Sequence, residues 1–119
     1  MNNQEQQNQI LAYQLQQYEK ALEKLNESIE SLDELNNILE ETSKLKKGED
    51  LLIPVANGIF IKGKVEDTKE FLVNVGEGIV LKKTKEQTQT LIEKQKTEIL
   101  KSKKEAEANI DKLIKMLEQ

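Results

Sequence analysis

Residues 51–83 read LLIPVANGIFIKGKVEDTKEFLVNVGEGIVLKK, and the period of this stretch decides the fold. Its apolar residues do not recur at helical spacing. They run continuously from Leu51 to Val55, and then Ile59, Ile61 and Val65 alternate with Phe60, Lys62 and Lys64. Phe71, Val73 and Val75 alternate with Leu72 and Asn74 in the same way, before a last short run from Ile79 to Leu81. Period-two alternation bounded by turn residues predicts strands. Asn57-Gly58 is a tight-turn pair, Glu66-Asp67-Thr68-Lys69 is the next turn, and Gly76-Glu77-Gly78 turns the chain once more. Two β-hairpins over residues 51–82 follow. Pro54 confines the first strand to an edge or a bulge, because proline has no N–H to give to a ladder. Gly76-Glu77-Gly78 is not a phosphate cradle: no third glycine follows, no Lys-Ser/Thr follows, and a strand comes next instead of a helix.

Outward from this centre the period changes on both sides. Leu11, Leu15, Tyr18, Leu22, Leu25, Ile29, Leu32 and Leu39 fall on alternating four- and three-residue steps, with Asn36 at the one polar seam position. That heptad predicts a helix over 7–47, with Gly48 as its stop and Lys44, Lys46 and Lys47 suited to the negative end of its dipole. About 40 helical residues make a rod of roughly 60 Å. Asn36 either fixes register at a cost in stability or marks where the coiled coil loosens towards the strands. After the hairpins, Thr84 with Gln87 forms a capping box and predicts a second helix over 84–118. Its seam runs through Ile92, Gln95, Ile99, Ser102, Ala106, Ile110, Leu113 and Leu117, weak in the middle and strongly apolar at its end.

The composition narrows the chemistry. The 119 residues are 36% hydrophobic and 34% charged, with two Phe, two Tyr and no Trp, too little to fill a large core. A single domain over 1–119 with a thin core is expected to oligomerise. Without Cys or His there is no thiol chemistry, no Cys/His zinc site and no imidazole catalysis. No cofactor or metal is expected, and no constellation of nucleophile, base and pocket points to an enzyme. All 18 basic residues are Lys, and the net charge is -4. Both facts weigh against nucleic acid, which favours the bidentate fork of Arg. No stretch approaches the roughly 20 apolar residues of a membrane span. The Asn/Gln-rich start resembles no secretory leader, so the expected compartment is the cytoplasm.

Folding the two helices back on each other about the hairpins sets facing residues at numbers summing to roughly 130. Ile29 then faces the Ser102 region, and Leu11 and Leu15 face Leu113, Met116 and Leu117. Charge supports the pairing: residues 1–50 carry five Lys against eleven acids, and residues 84–119 carry eight against seven. Glu27 and Glu30 are expected near Lys101, Lys103 and Lys104. At the far ends Ile10, Leu11, Tyr13, Leu15 and Tyr18 meet Ile110, Leu113, Ile114, Met116 and Leu117, more apolar side chains than a two-helix seam can bury. Those left over are candidates for gripping other apolar surface; alternatively they widen the seam or meet a partner chain.

The central block resembles one family. Leu51-Leu52-Ile53-Pro54-Val55, the run from Gly58 to Val65, Asp67, and Val73-Asn74-Val75-Gly76-Glu77-Gly78 followed by Lys82-Lys83 are similar to the alpha-class subunit of prefoldin, down to the flanking coiled-coil helices. Two hairpins fit the alpha class, since beta-class subunits carry one. The sequence departs from many relatives at Ala56-Asn57, where they have glycine, and at Ile79-Val80, where eukaryotic relatives have an aromatic pair. The resemblance implies an α+β fold: a long antiparallel two-helix coiled coil with two central β-hairpins that assemble into an oligomeric β-barrel platform.

It further implies a hexamer of two alpha and four beta subunits, a chaperone that holds unfolded polypeptides at its coiled-coil tips without ATP and passes them to a group II chaperonin. Client contact then falls to Ile10, Leu11, Tyr13, Leu15, Ile110, Leu113, Ile114, Met116 and Leu117. Assembly falls to Leu52, Ile53, Val55, Ile59, Ile61, Val65, Phe71, Val73, Val75, Ile79 and Leu81. The competing expectation is a filament-forming structural relative of the same fold, whose sheet edges pair without closing. An RNA-binding coiled-coil arm is a distant third.

Overall fold

In a computed structural model the chain is described over residues 2–118. The elements run α1 (Asn3–Ser43), β1 (Asp50–Ala56), β2 (Ile59–Lys64), β3 (Glu70–Gly76), β4 (Ile79–Thr84) and α2 (Lys85–Leu117). Two compact units emerge, residues 1–33 with 93–119, and residues 34–92.

Helix α1 starts earlier and stops earlier than the expected 7–47. Asn2 is its cap: the Asn2 side-chain oxygen accepts from the Glu5 N–H at 2.8 Å, which allows helix through the polar leader. At the other end the Thr42 hydroxyl donates to the Ile38 carbonyl and the Ser43 hydroxyl to that of Glu40. The next N–H groups, of Lys44 and Leu45, bond three residues back to Glu41 and Thr42. Hydroxyls that take up the last carbonyls, followed by three-residue turns, end the helix at Ser43. Gly48, expected as the stop, instead supplies a positive φ of 88° in the connection to β1. Helix α2 opens on the expected capping box: Thr84 N–H donates to Gln87 Oε1 at 3.0 Å and Gln87 N–H to Thr84 Oγ1 at 3.1 Å.

In the unit of residues 34–92, the strands form two antiparallel two-stranded sheets, β1 with β2 and β3 with β4. Asn57-Gly58 and Glu77-Gly78 are the two turns, and one residue before each turn is bulged, Val55 and Val75 respectively. Glu77 adopts φ 52°, an uncommon conformation for a residue with a Cβ. Asp67 accepts from the Lys69 N–H at 2.8 Å and shapes the connection between the hairpins. The core of this unit is Leu39, Val65 and Ile92. Val65 follows β2 and is held by two backbone bonds, Gly48 N–H to its carbonyl and its own N–H to Glu49.

In the other unit the helical segments bury Ala106 and Leu113, while the seam positions Leu11, Leu15, Leu22, Leu25, Ile29 and Leu32 are half-buried. Asp33 and Lys96 pair at 2.6 Å, in the register expected from the hairpin geometry. The anticipated pairs of Glu27 and Glu30 with Lys101, Lys103 and Lys104 do not form among the described residues. The Lys101 and Lys104 side chains are exposed, and such pairs gain too little in water to hold two long side chains together.

Candidate functional site

The first apolar surface lies on the hairpins. A strand with one buried face should alternate between buried and exposed, yet β1 and β2 are exposed at nearly every position. Leu52, Ile53, Val55, Ile59, Phe60 and Ile61 on the first hairpin, and Leu72, Val75, Ile79, Val80 and Leu81 on the second, are large hydrophobics left in solvent. No ladder joins one hairpin to the other among the described residues, so each sheet keeps two unpaired edges. Single hairpins are marginal in water. The edges of both sheets and both faces of the first hairpin are unsatisfied within the chain, whereas β3 alternates and turns Phe71 and Val73 inward.

Of the eleven residues expected to build a platform, eight are exposed as that role requires and three are not. Val65 is buried by its own subunit, because its backbone bonds to Gly48 and Glu49 draw it under the chain. Phe71 and Val73 are half-buried, lining a hollow with Leu35, Ile38, Leu39, Thr88 and Ile92. Phe60, Leu72 and Val80, two of which the alternation alone assigned to the opposite face, are exposed apolar residues that the sequence reading left out of the platform. Their signal was present: each hairpin is apolar on both of its faces.

The second surface lies at the ends of the helices, within the unit of residues 1–33 and 93–119. Ile10, Tyr13, Ile114 and Met116 are exposed, Tyr13 at 63%. Leu11, Leu15, Ile110 and Leu117 are half-buried in the seam, and Leu113 is only 7% exposed. Leu113 is therefore a seam residue rather than an offered one, since it sits at the heptad position that faces the neighbouring helix. An open groove beside it is lined by Gln14, Gln17, Tyr18, Ala21, Asn109, Lys112 and Met116. Its apolar side chains, Tyr18, Ala21 and Met116, are set among amides and one lysine.

Charge contributes locally. In the unit of residues 34–92, Lys85 donates to Glu40 at 3.0 Å and Gln89 donates to its other oxygen. The bond from Lys85 holds the Glu40 carboxyl below the usual carboxylate range. The bond to Asp33 raises Lys96 above the ordinary lysine value. Among the described residues no group of three or more acidic side chains is placed to hold a metal ion, and no helix is long and apolar enough to cross a membrane.

Comparison with known proteins agrees with this geometry. The family model described as Prefoldin subunit matches residues 11–119. A curated relative, prefoldin subunit alpha from Methanococcus aeolicus, is 40% identical over 62 residues, which cover 49% of this chain and 43% of that relative; the match thus spans less than half the relative's length. Among solved structures, filamentous PFD from Methanocaldococcus jannaschii superposes with a TM-score of 0.85 over 92% of this chain and 91% of that one, at 23% identity, a likeness of fold. Two helices flanking two hairpins, with a family match across nearly all of the sequence, establish that the chain belongs to the prefoldin family, and its paired hairpins fit the alpha class.

Proposed function

We propose that the chain is a chaperone subunit, not an enzyme, that holds unfolded or nascent polypeptides without ATP in the cytoplasm and hands them to a group II chaperonin. In this reading residues 1–119 act as one prefoldin-like domain, and the hairpins join those of other subunits in a β-barrel platform of two alpha and four beta chains. The helix ends hold the client. The observation that carries the reading is the presence of two separate apolar surfaces on one small family member, one on strands and one on helix ends.

The strand surface has open edges and demands ordered partners. The helix-end surface has no edges and a mixed polar rim, which suits weak contacts multiplied over several arms. Ile10, Tyr13, Ile114 and Met116 are the client contacts, with Leu11, Leu15, Ile110, Leu113 and Leu117 shaping the seam beneath them. Leu52, Ile53, Val55, Ile59, Ile61, Val75, Ile79 and Leu81 carry assembly.

Deleting residues 1–14 together with 112–119 tests the division. The shortened chain is expected to assemble normally and to lose suppression of aggregation of a denatured model client. Undiminished suppression would remove the client role from the helix ends. A second reading, a self-assembling filament, is favoured by one observation, the filamentous state of the Methanocaldococcus jannaschii protein of the same fold. Fibres that grow with concentration from the purified chain alone would establish it.

A further inference from the structure

Asn57-Gly58 turns the first hairpin between Ala56 of β1 and its partner Ile59 of β2. The same dipeptide has an open route to a reaction of its own. An asparagine side chain carries an amide carbon, Cγ, that the backbone nitrogen of the next residue reaches by closing a five-membered ring; holding both groups on adjacent residues replaces a bimolecular encounter. Three conditions limit this attack in a folded chain. The following residue must not crowd the ring, its N–H must not be tied into a hydrogen bond, and the amide must stand open to water.

Asn57 meets all three. The next residue has no side chain, and nothing lies within 4 Å of where a Cβ on Gly58 would stand. Among the described residues no backbone hydrogen bond engages the Gly58 N–H. Asn57 and Gly58 are both exposed, at a hairpin tip where the backbone opens locally with little resistance. The other asparagines fail at least one condition. Asn8, Asn26, Asn36, Asn37 and Asn109 lie inside helices, where the N–H of the next residue is held by the carbonyl four residues back. Asn74 precedes the β-branched Val75, and its Oδ1 accepts from the Gly76 N–H at 2.9 Å. Asn2 and Asn3 precede residues with side chains, and Asn2 Oδ1 is engaged by the Glu5 N–H.

We propose that Asn57 is a site of self-modification, an asparagine that deamidates within the folded chain and turns the tip of the first hairpin from neutral to anionic, with water as the only co-reactant. The Gly58 nitrogen gives its proton to a solvent base and attacks Asn57 Cγ. A bond forms between them as the Cγ–Nδ2 bond breaks, and the side-chain nitrogen takes up a proton and leaves as ammonia. Water then opens the cyclic imide at either of its carbonyls. Opening at Cγ leaves aspartate in a normal backbone; opening at the backbone carbonyl leaves isoaspartate, with the chain running through the side chain. One water enters, one ammonia leaves, and nothing is oxidised or reduced. Either product sets a carboxylate between Val55, 55% exposed, and Ile59, 58% exposed. Isoaspartate also adds a backbone atom to a two-residue turn, which the pairing of Ala56 with Ile59 does not accommodate unchanged. The reaction needs only the turn itself, whatever surface the hairpin meets.

The test ages the purified full-length chain in mildly alkaline buffer, beside the same chain in guanidinium chloride, which sets the rate that the sequence alone allows. Peptide mapping by mass spectrometry follows each asparagine, and isoelectric focusing follows the charge. Asn57 is expected to convert before any other asparagine, to a mixture of aspartate and isoaspartate, within about tenfold of its rate in the denatured chain. The folded chain should gain one negative charge as it does so. Asn57→Gln, whose amide carbon lies one bond further from the nitrogen, should abolish that charge shift. A folded chain in which Asn57 is protected by more than this factor overturns the proposal, as does earlier conversion of another asparagine. A charge shift that persists in Asn57→Gln overturns it too; if that variant does not fold, the peptide map of the parent chain decides alone.

Discussion

Replacing Asn36 with leucine should stabilise the chain. Asn36 stands in the heptad between Leu32 and Leu39, half-buried, and its Oδ1 is buried without a hydrogen-bond partner. An unsatisfied buried amide oxygen costs about 1–3 kcal/mol. A leucine in its place removes that penalty and adds apolar burial, about 1 kcal/mol for a side chain only partly covered. The net expectation is a gain of about 2–3 kcal/mol, discounted because the unfolded chain already covers some apolar surface. With a urea slope of about 1–1.5 kcal/mol/M, the midpoint should rise by about 1.3–3 M.

The assay is urea denaturation followed by helical circular dichroism, with parent and variant at equal protein concentration because association adds to apparent stability. A midpoint that stays in place or falls would refute the reasoning and mean that the amide finds a partner in the folded chain. A stabilised variant with altered subunit composition would assign Asn36 to register, a polar seam residue kept for the choice of partner at a cost in stability.

Three further outcomes follow from named contacts. Ile61→Asp should release partner subunits from the native complex while leaving helix content intact, because it places a charge where a partner would dry it; an unchanged native mass would remove Ile61 from the interface. Leu39→Ala should destabilise the chain by about 2–4 kcal/mol in the same urea assay, since Leu39 is one of the few buried side chains and would leave a cavity; a loss below 1 kcal/mol would show that the site collapses. For Glu40→Gln the difference from the parent should depend on pH. The Glu40 value is lowered in the folded chain, so its contribution is full above the ordinary glutamate value of about 4.3 and fades as pH falls through the lowered one. A difference that stays constant down to pH 3 would mean that the contact with Lys85 is not electrostatic.

The parts of the fold that were legible in the sequence are those written by local rules. Alternation over residues 51–83 placed two hairpins, because a strand's period admits one reading once Asn57-Gly58 and Glu77-Gly78 supply the turns. The Thr84/Gln87 box placed the start of α2 because both halves of the cap lie within one turn. The end of α1 was misplaced by four residues because glycine is a louder stop than hydroxyls bonding backwards, and Thr42 and Ser43 act first. Burial of Val65 could not be read from alternation, since it arises from bonds to Gly48 and Glu49, partners some 16 residues away. Leu113 was legible as apolar and as near the end; only the packed helices decide between seam and surface.

The apolar residues on the hairpins are a consequence of the same economy. A strand that served only this chain would keep one face polar, and the alternation would then be between apolar and charged side chains. Here the face opposite Ile53 and Ile61 carries Leu52 and Phe60, and that opposite Val73 and Leu81 carries Leu72 and Val80. Closing a barrel covers one face of each hairpin and leaves the other for a second layer. In the proposed platform, where a barrel would enclose one face of each hairpin, Leu52, Phe60, Leu72 and Val80 on the other face would meet a covering element beyond the strands that complete the sheet. Substituting Phe60→Ser and Val80→Ser should leave strand pairing intact while loosening whatever lies over it. Hydrogen exchange would then show protected β amides in the native complex and faster exchange in the covering segment; loss of protection in the strands themselves would mean that these side chains point into the barrel.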